Sequence, residues 1–163
     1  MIRPAQTLAL ALALGALAPL AACQSPGRSA AASNAAREGA AFLAANAHAS
    51  GVQSAGGIEY QVLVSGPSDG AHPTPQDEVV VEYEGRLLNG KVFDATPAGQ
   101  PASFQLGGLI PGWITAMQLM RPGDEWMIWI PPDLAYGGDD SGPIPANSTL
   151  AFRLKLVAVH KAG

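Results

Sequence analysis

The sequence predicts an α+β domain in which a twisted antiparallel β-sheet wraps around one short α-helix. Three observations carry that prediction. Apolar and polar residues alternate over 58–64 and 149–159, which is the period of a strand with one buried face, and the Val-, Ile- and Trp-rich runs 78–88 and 125–130 read as further strands. Asn89-Gly90, between two such runs, is the strongest short hairpin signal. Within the globular part, helical spacing is confined to one stretch. Pro111-Gly112 makes a corner, Trp113, Ile114 and Met117 follow, Leu119 and Met120 close the pattern, and Arg121-Pro122-Gly123 ends it.

Composition narrows the function. The 163 residues are 48% hydrophobic and 13% charged, with a net charge of −4. That size suits one domain with extensions. No basic cluster is present, which argues against a nucleic-acid partner. The single cysteine, Cys23, excludes an internal disulfide and a cysteine-based zinc site.

Residues 1–22 read as a signal peptide. Met1-Ile2-Arg3 is a short positive start, and an Ala/Leu/Gly run to Leu20 is too short for a comfortable membrane span. Leu20-Ala21-Ala22-Cys23 resembles the lipobox of bacterial lipoproteins, in which the cysteine becomes the lipidated first residue. Gln24 rather than Asp follows it, which resembles outer-membrane rather than inner-membrane cargo. Residues 23–33 then read as a flexible tether of Ser, Pro, Gly and Ala. Residues 34–50 read as a short Ala-rich helix, capped by Ser33 or Asn34 and ended by Gly51, with Phe42 and Leu43 as its apolar stripe. His48, His72 and His160 read as solvated residues rather than ligands.

The domain proper runs over 51–163. Ile58–Val64 alternates as a strand, and Ser65–Pro75 is a Gly/Pro loop. Glu78–Leu88 is a long strand that bends at Gly85. Lys91–Asp94 returns from the hairpin. Ser103–Leu106 is a brief strand before the helix. Glu125–Ile130 is stopped by Pro131-Pro132, Ala135–Pro145 is a long surface loop, and Thr149–Val159 is the last strand.

The motifs of nucleotide loops, zinc hydrolases and serine hydrolases do not occur. Ser141 with Asp139-Asp140 reads as a solvated turn. What remains is an apolar set with two polar members: Tyr83, Phe93, Leu109, Ile110, Trp113, Tyr136 and Phe152, with Asp94 and the Tyr136 hydroxyl among them. Trp113 alone reads as a core anchor. In this company it reads as the wall or floor of a cup for a small hydrophobic ligand.

Five segments together resemble the FKBP-type peptidyl-prolyl cis-trans isomerases. They are Tyr83-Glu84-Gly85, Asn89 to Asp94, Leu109 to Trp113, Ile130 to Gly137, and Ile144 to Phe152. The match covers roughly Gly51 to His160. Ile110-Pro111-Gly112-Trp113 and Phe42-Leu43-Ala44-Ala45-Asn46 resemble the macrophage infectivity potentiator branch of Gram-negative envelopes. That branch dimerises through a long N-terminal helical region. The stretch before Phe42 is short for that role, so a tethered monomer is expected.

The resemblance implies site roles. Trp113, Tyr136, Asp94 and Phe152 would be catalytic. Trp113 would form the floor, and Asp94 and Tyr136 the polar pair near the bound carbonyls. Tyr83, Phe93, Leu109 and Ile110 would bind substrate as walls, with Ile144 at the rim. Ala102 stands where the family often has Phe, which predicts one open wall. The implied substrates are proline-containing polypeptides, unfolded or partly folded, and the family's macrolide inhibitors are implied ligands. No cofactor or metal is called for. The implied activity is a prolyl isomerase, lipid-anchored in the bacterial envelope at the outer membrane. The alternative is a non-catalytic chaperone module that holds peptides in the same cup.

Overall fold

The computed structural model describes residues 26–163, so the expected signal peptide over 1–22 and the expected lipidation site Cys23 lie outside the described residues. Helix α1 (Pro26–Asn46) leads into strands β1 (Val52–Ala55), β2 (Ile58–Val64), β3 (Glu78–Leu87), β4 (Val92–Ala95) and β5 (Ala102–Gln105). A 3₁₀ turn (Leu106–Gly108) precedes α2 (Pro111–Leu119). Strand β6 (Glu125–Ile130), a second 3₁₀ turn (Pro132–Leu134) and β7 (Leu150–His160) complete the chain. All strands pair antiparallel in one seven-stranded sheet, in the order β1-β2-β6-β7-β3-β4, with β5 also on β3. This is the α+β arrangement that the alternation predicts.

Alternation places the core on one face of the sheet. Val79 and Val81 of β3, Trp126, Ile128 and Ile130 of β6, and Leu150, Phe152, Leu154 and Leu156 of β7 are buried there. Helix α2 lies against that face through Trp113, Ala116 and Met117. The corner at Pro111-Gly112 was expected to use Gly112 for its backbone freedom. The structure gives a different reason: a Cβ at Gly112 would collide with the Ile130 side chain. The glycine lets α2 start tight against β6.

Two expectations need correction. The tether expected over 23–33 is helical from Pro26, and the helix expected over 34–50 ends at Asn46. Proline is well tolerated at a first helical position, and the alanines of 30–32 propagate the helix as readily as those that follow. Strand β1 was missed because Val52-Gln53-Ser54-Ala55 has no β-branched run. It pairs with β2 across a Gly56-Gly57 turn.

Helix α1 docks on the opposite face of the sheet from α2. Gly39 is buried, and a Cβ there would collide with Thr149 Oγ1. Phe42 packs on Trp129, with ring centroids 6.2 Å apart. Asn46 Nδ2 donates to Glu59 Oε2 at 2.7 Å.

Asp77, at the entry to β3, ties down the C-terminus. It accepts from Thr74 N–H and from Thr74 Oγ1, at 2.6 and 2.9 Å, and from Lys161 Nζ and Ala162 N–H at 2.9 and 3.0 Å. The Thr74 amide, and then the Lys161 ammonium, hold its carboxyl well below the usual carboxylate range. His72, expected as a solvated loop residue, is exposed, but its Nδ1 lies 2.9 Å from Met120 O.

Candidate active site

The expected cup forms. Tyr83, Phe93, Asp94, Phe104, Leu109, Ile110, Trp113, Tyr136 and Phe152 line a cavity of about 170 Å³. Strand β3 supplies Tyr83, β4 supplies Phe93 and Asp94, β5 supplies Phe104, and β7 supplies Phe152. Leu109 and Ile110 come from the turn before α2. Ile110 is the N-cap of that helix, with extended backbone, and its C=O accepts from Trp113 N–H at 3.0 Å. Trp113 is thereby held in the first turn of α2, its ring toward the sheet.

The rings meet edge to face. Trp113 lies 5.0 Å from Tyr83, 5.2 Å from Phe152 and 6.3 Å from Phe104, with interplanar angles of 80–87°. Phe93 meets Phe152 at 5.5 Å and 89°. This is the arrangement that ring quadrupoles prefer, and each such pair adds about 0.5–1.5 kcal/mol beyond its buried area. The rings therefore lock one another around the cavity. Gly85 makes the fit possible. A Cβ there would stand 2.6–2.7 Å from the rings of Phe93 and Phe152. The bend expected at Gly85 does not show in the pairing: β3 keeps its register with β7 through Leu87, and the irregularity falls on β4, where Phe93 is the extra residue between Asp94 and Val92.

Larger grooves lie elsewhere. One, of about 300 Å³, lies between Ala31-Ala32 and the loop at 140–145. A second, of about 280 Å³, separates α1 from Leu87–Asn89 and Pro145–Thr149. A third, of about 380 Å³, lies over the cross-strand charges Glu82, Glu84, Glu125, Arg153 and Lys155. No aromatic side chains converge in any of them as they do in the cup. Small ligands are held by apolar, aromatic walls with a few placed polar groups, and the cup has that make-up.

The polar partnership differs from expectation. Three tasks were expected of Asp94, namely capping the loop at 95–97, orienting the Tyr136 hydroxyl or interacting with the substrate carbonyl, and the first two are not what it does here. Instead Tyr83 Oη donates to Asp94 Oδ2 at 2.7 Å, and Thr96 rather than Asp94 ties that loop to Tyr83. Burial, and next the Asp94 carboxylate, push the Tyr83 hydroxyl above its ordinary range, so it remains a donor at neutral pH. Tyr136 lines the cup and is 42% exposed, at the mouth.

Ile144, expected at the rim, is not among the residues lining the cup. It is 5% exposed and belongs to the core. A small bridge between Ser141 and Ile144 folds the loop back and turns the side chain inward. Phe104 was missed as a cup residue. It lies two residues beyond Ala102 on the same face of β5 and lines the cup, whereas Ala102 does not. The period-2 rule carried that signal.

Comparison with known proteins agrees with this geometry. A family model described as FKBP-type peptidyl-prolyl cis-trans isomerase matches residues 70–157. The outer membrane protein MIP of Legionella longbeachae is 46% identical over 128 residues, covering 77% of this chain and 54% of that protein. The peptidyl-prolyl cis-trans isomerase Mip of Coxiella burnetii is 48% identical over 124 residues, covering 74% and 53%. The chain thus spans about half the length of these curated relatives. The crystal structure of FkpA from Escherichia coli superposes with a TM-score of 0.78 at 37% identity, covering 84% of this chain and 64% of that one. A peptidyl-prolyl cis-trans isomerase from Pseudomonas syringae gives a TM-score of 0.72 at 36% identity, covering 79% and 96%.

Proposed function

The chain belongs to the FKBP-type peptidyl-prolyl cis-trans isomerases, and from that premise we propose that it catalyses rotation about Xaa–Pro bonds of envelope or secreted polypeptides. The observation that carries this reading is the set of edge-to-face rings that closes an apolar cavity around Trp113.

An Xaa–Pro bond isomerises in tens to hundreds of seconds over a barrier of about 18–20 kcal/mol. The planar ground state is charge-separated and well hydrated. The twisted transition state has lost its resonance and carries less charge on the carbonyl oxygen. A cup that seats the proline ring against Trp113 and strips water from the imide prefers the twisted form, which is differential binding. A thousandfold acceleration needs only about 4 kcal/mol of such preference. In this reading Tyr136, at the mouth, donates to a substrate carbonyl. Asp94, held by Tyr83, faces the imide with its remaining acceptor capacity.

The test is a tetrapeptide isomerisation assay on the full-length protein, run beside Asp94→Leu and Tyr136→Phe. The wild type is expected to accelerate Xaa–Pro isomerisation, and failure to do so removes the reading. Tyr136→Phe is expected to leave the fold intact and weaken turnover by a hydrogen-bond increment of about 0.5–1.5 kcal/mol. Asp94→Leu is expected to lower kcat/KM several-fold while the melting temperature holds. Unchanged kcat/KM in a well-folded variant would take Asp94 out of the mechanism.

We further propose that residues 1–22 are cleaved and that Cys23 is lipidated at the outer membrane. The lipobox-like Leu20-Ala21-Ala22-Cys23 supports cleavage and lipidation, and the Legionella relative's being an outer membrane protein supports the location. Mass spectrometry of the mature protein is expected to find an acylated Cys23. A free thiol there, or cleavage elsewhere, refutes it.

A further inference from the structure

Two short strands share one edge of β3 and leave a gap between them. Strand β5 pairs with residues 78–81, and β4 pairs with residues 84–86. Glu82 and Tyr83 therefore have no strand beside them on that edge. An unpaired backbone group in a half-buried position costs about as much as a lost hydrogen bond. Thr96, in the loop between β4 and β5, fills the gap. Tyr83 N–H donates to Thr96 Oγ1 at 3.0 Å, and Thr96 N–H donates to Tyr83 O at 3.0 Å. The Thr96 hydroxyl also reaches that carbonyl, at 3.4 Å.

These contacts close a ring. Tyr83 is held through its backbone by Thr96 and through its phenol by Asp94, at 2.7 Å. Asp94 and Thr96 are two residues apart on one chain, and the Asp94 backbone is registered against Gly85. The ring contains one side-chain hydroxyl that is in the backbone ladder, that of Thr96, and one that is in the cup, that of Tyr83. If the Thr96 hydroxyl is removed, Tyr83 N–H loses its partner and only the Thr96 N–H bond to Tyr83 O still spans the gap, so the Tyr83 backbone is held less firmly on that edge and the phenol–carboxylate pair loosens with it.

We propose that Thr96 is a positioning residue: it stands in for the missing strand and thereby fixes the Tyr83–Asp94 pair at the wall of the cup. The proposal rests on the isomerase reading for its effect on turnover, but not for its effect on the pair itself. Thr96 touches no cup atom in this role and acts only through Tyr83.

The experiment compares Thr96→Val, which keeps the branched shape and loses the hydroxyl, with Thr96→Ser, which keeps the hydroxyl. Both are made in the full-length protein and in a Tyr83→Phe background. Turnover is read per folded molecule, and the NMR signal of the Asp94 carboxyl carbon is followed alongside. Thr96→Val is expected to lower kcat/KM about threefold to tenfold, the size of one net hydrogen bond, and to move the Asp94 signal. Thr96→Ser is expected to restore both. In the Tyr83→Phe background the further loss on Thr96→Val is expected to shrink below about twofold, because the two changes act through one linkage. An unmoved Asp94 signal, or the same loss in both backgrounds, overturns the proposal. An inactive wild type refutes the isomerase reading instead, and the Asp94 signal still decides the role of Thr96.

Discussion

Trp113→Ala is expected to cost both stability and turnover. The ring is 5% exposed and meets Tyr83, Phe104 and Phe152 edge to face, so its loss removes contacts from three neighbours at once. Truncating a buried Trp typically costs about 3–5 kcal/mol, and the figure is lower where one side already faces a cavity. Urea unfolding followed through Trp126 and Trp129 measures that cost. The effect on turnover is separable. Assayed per folded molecule, the variant is expected to lose about tenfold or more in kcat/KM, because the surface that displaces water from the imide is gone. Trp113→Phe keeps an aromatic floor and is expected to fall between the wild type and Trp113→Ala on both measures. If Trp113→Ala loses stability but turns over substrate at the wild-type rate, then the tryptophan is a core anchor, and the cup is not where isomerisation occurs.

Gly85→Val is expected to close the cup from behind. The new Cβ would stand 2.6–2.7 Å from the Phe93 and Phe152 rings, and both Phe152 and Asp94 are registered directly against Gly85. The Phe152 ring cannot retreat into the core, since it is 3% exposed and already packed on Trp113. Overpacking of this kind costs about 1–3 kcal/mol of stability. The larger consequence is for binding: the displaced rings enter the cavity, so affinity for a proline-containing peptide should fall beyond detection by calorimetry while the protein remains folded. Phe93→Leu in the same chain vacates part of the space and is expected to recover stability. A Gly85→Val variant that binds and turns over normally would show that the rings adapt at no cost, and the tight fit would then have no functional meaning.

Much of this was legible in the residues. Period-2 alternation marked β2 and β7, and the β-branched and aromatic runs bounded by turn residues marked β3 and β6; the outer face of β6 is apolar because Trp129 lies under Phe42 of α1. Asn89-Gly90 fixed the hairpin, and Pro111 fixed the start of α2. The aromatic membership of the cup followed from the same alternation, since Tyr83 and Gly85 share a face of β3 and Phe152 lies opposite. The failures have physical causes. Local propensity does not record that Gly112 is needed for its missing Cβ, because Ile130 is distant in sequence. Nor does it record that the loop carrying Ile144 doubles back through the bridge to Ser141. The partner of Asp94 was misassigned because two tyrosines were available. The choice of Tyr83 over Tyr136 depends on the β3–β4 register, which no local pattern states. Thr96 gave no signal at all, since its role exists only because two strands leave two residues of a third uncovered.

The position of β7 imposes an order on how this molecule comes into being. The strand that lies in the middle of the sheet is the one made last. Until residues 150–160 exist, β1, β2 and β6 form one half-sheet and β3, β4 and β5 another, and they share no strand pairing. Trp113 then has no Phe152 to meet, and Asp77 has no Lys161 to hold. A chain emerging N-terminus first thus has the parts of both halves from β6 onward, and they stay unjoined until β7 follows. Pairings between such distant parts of a chain form slowly. The cup itself, with Phe152 as one of its walls, is completed only when β7 is in place.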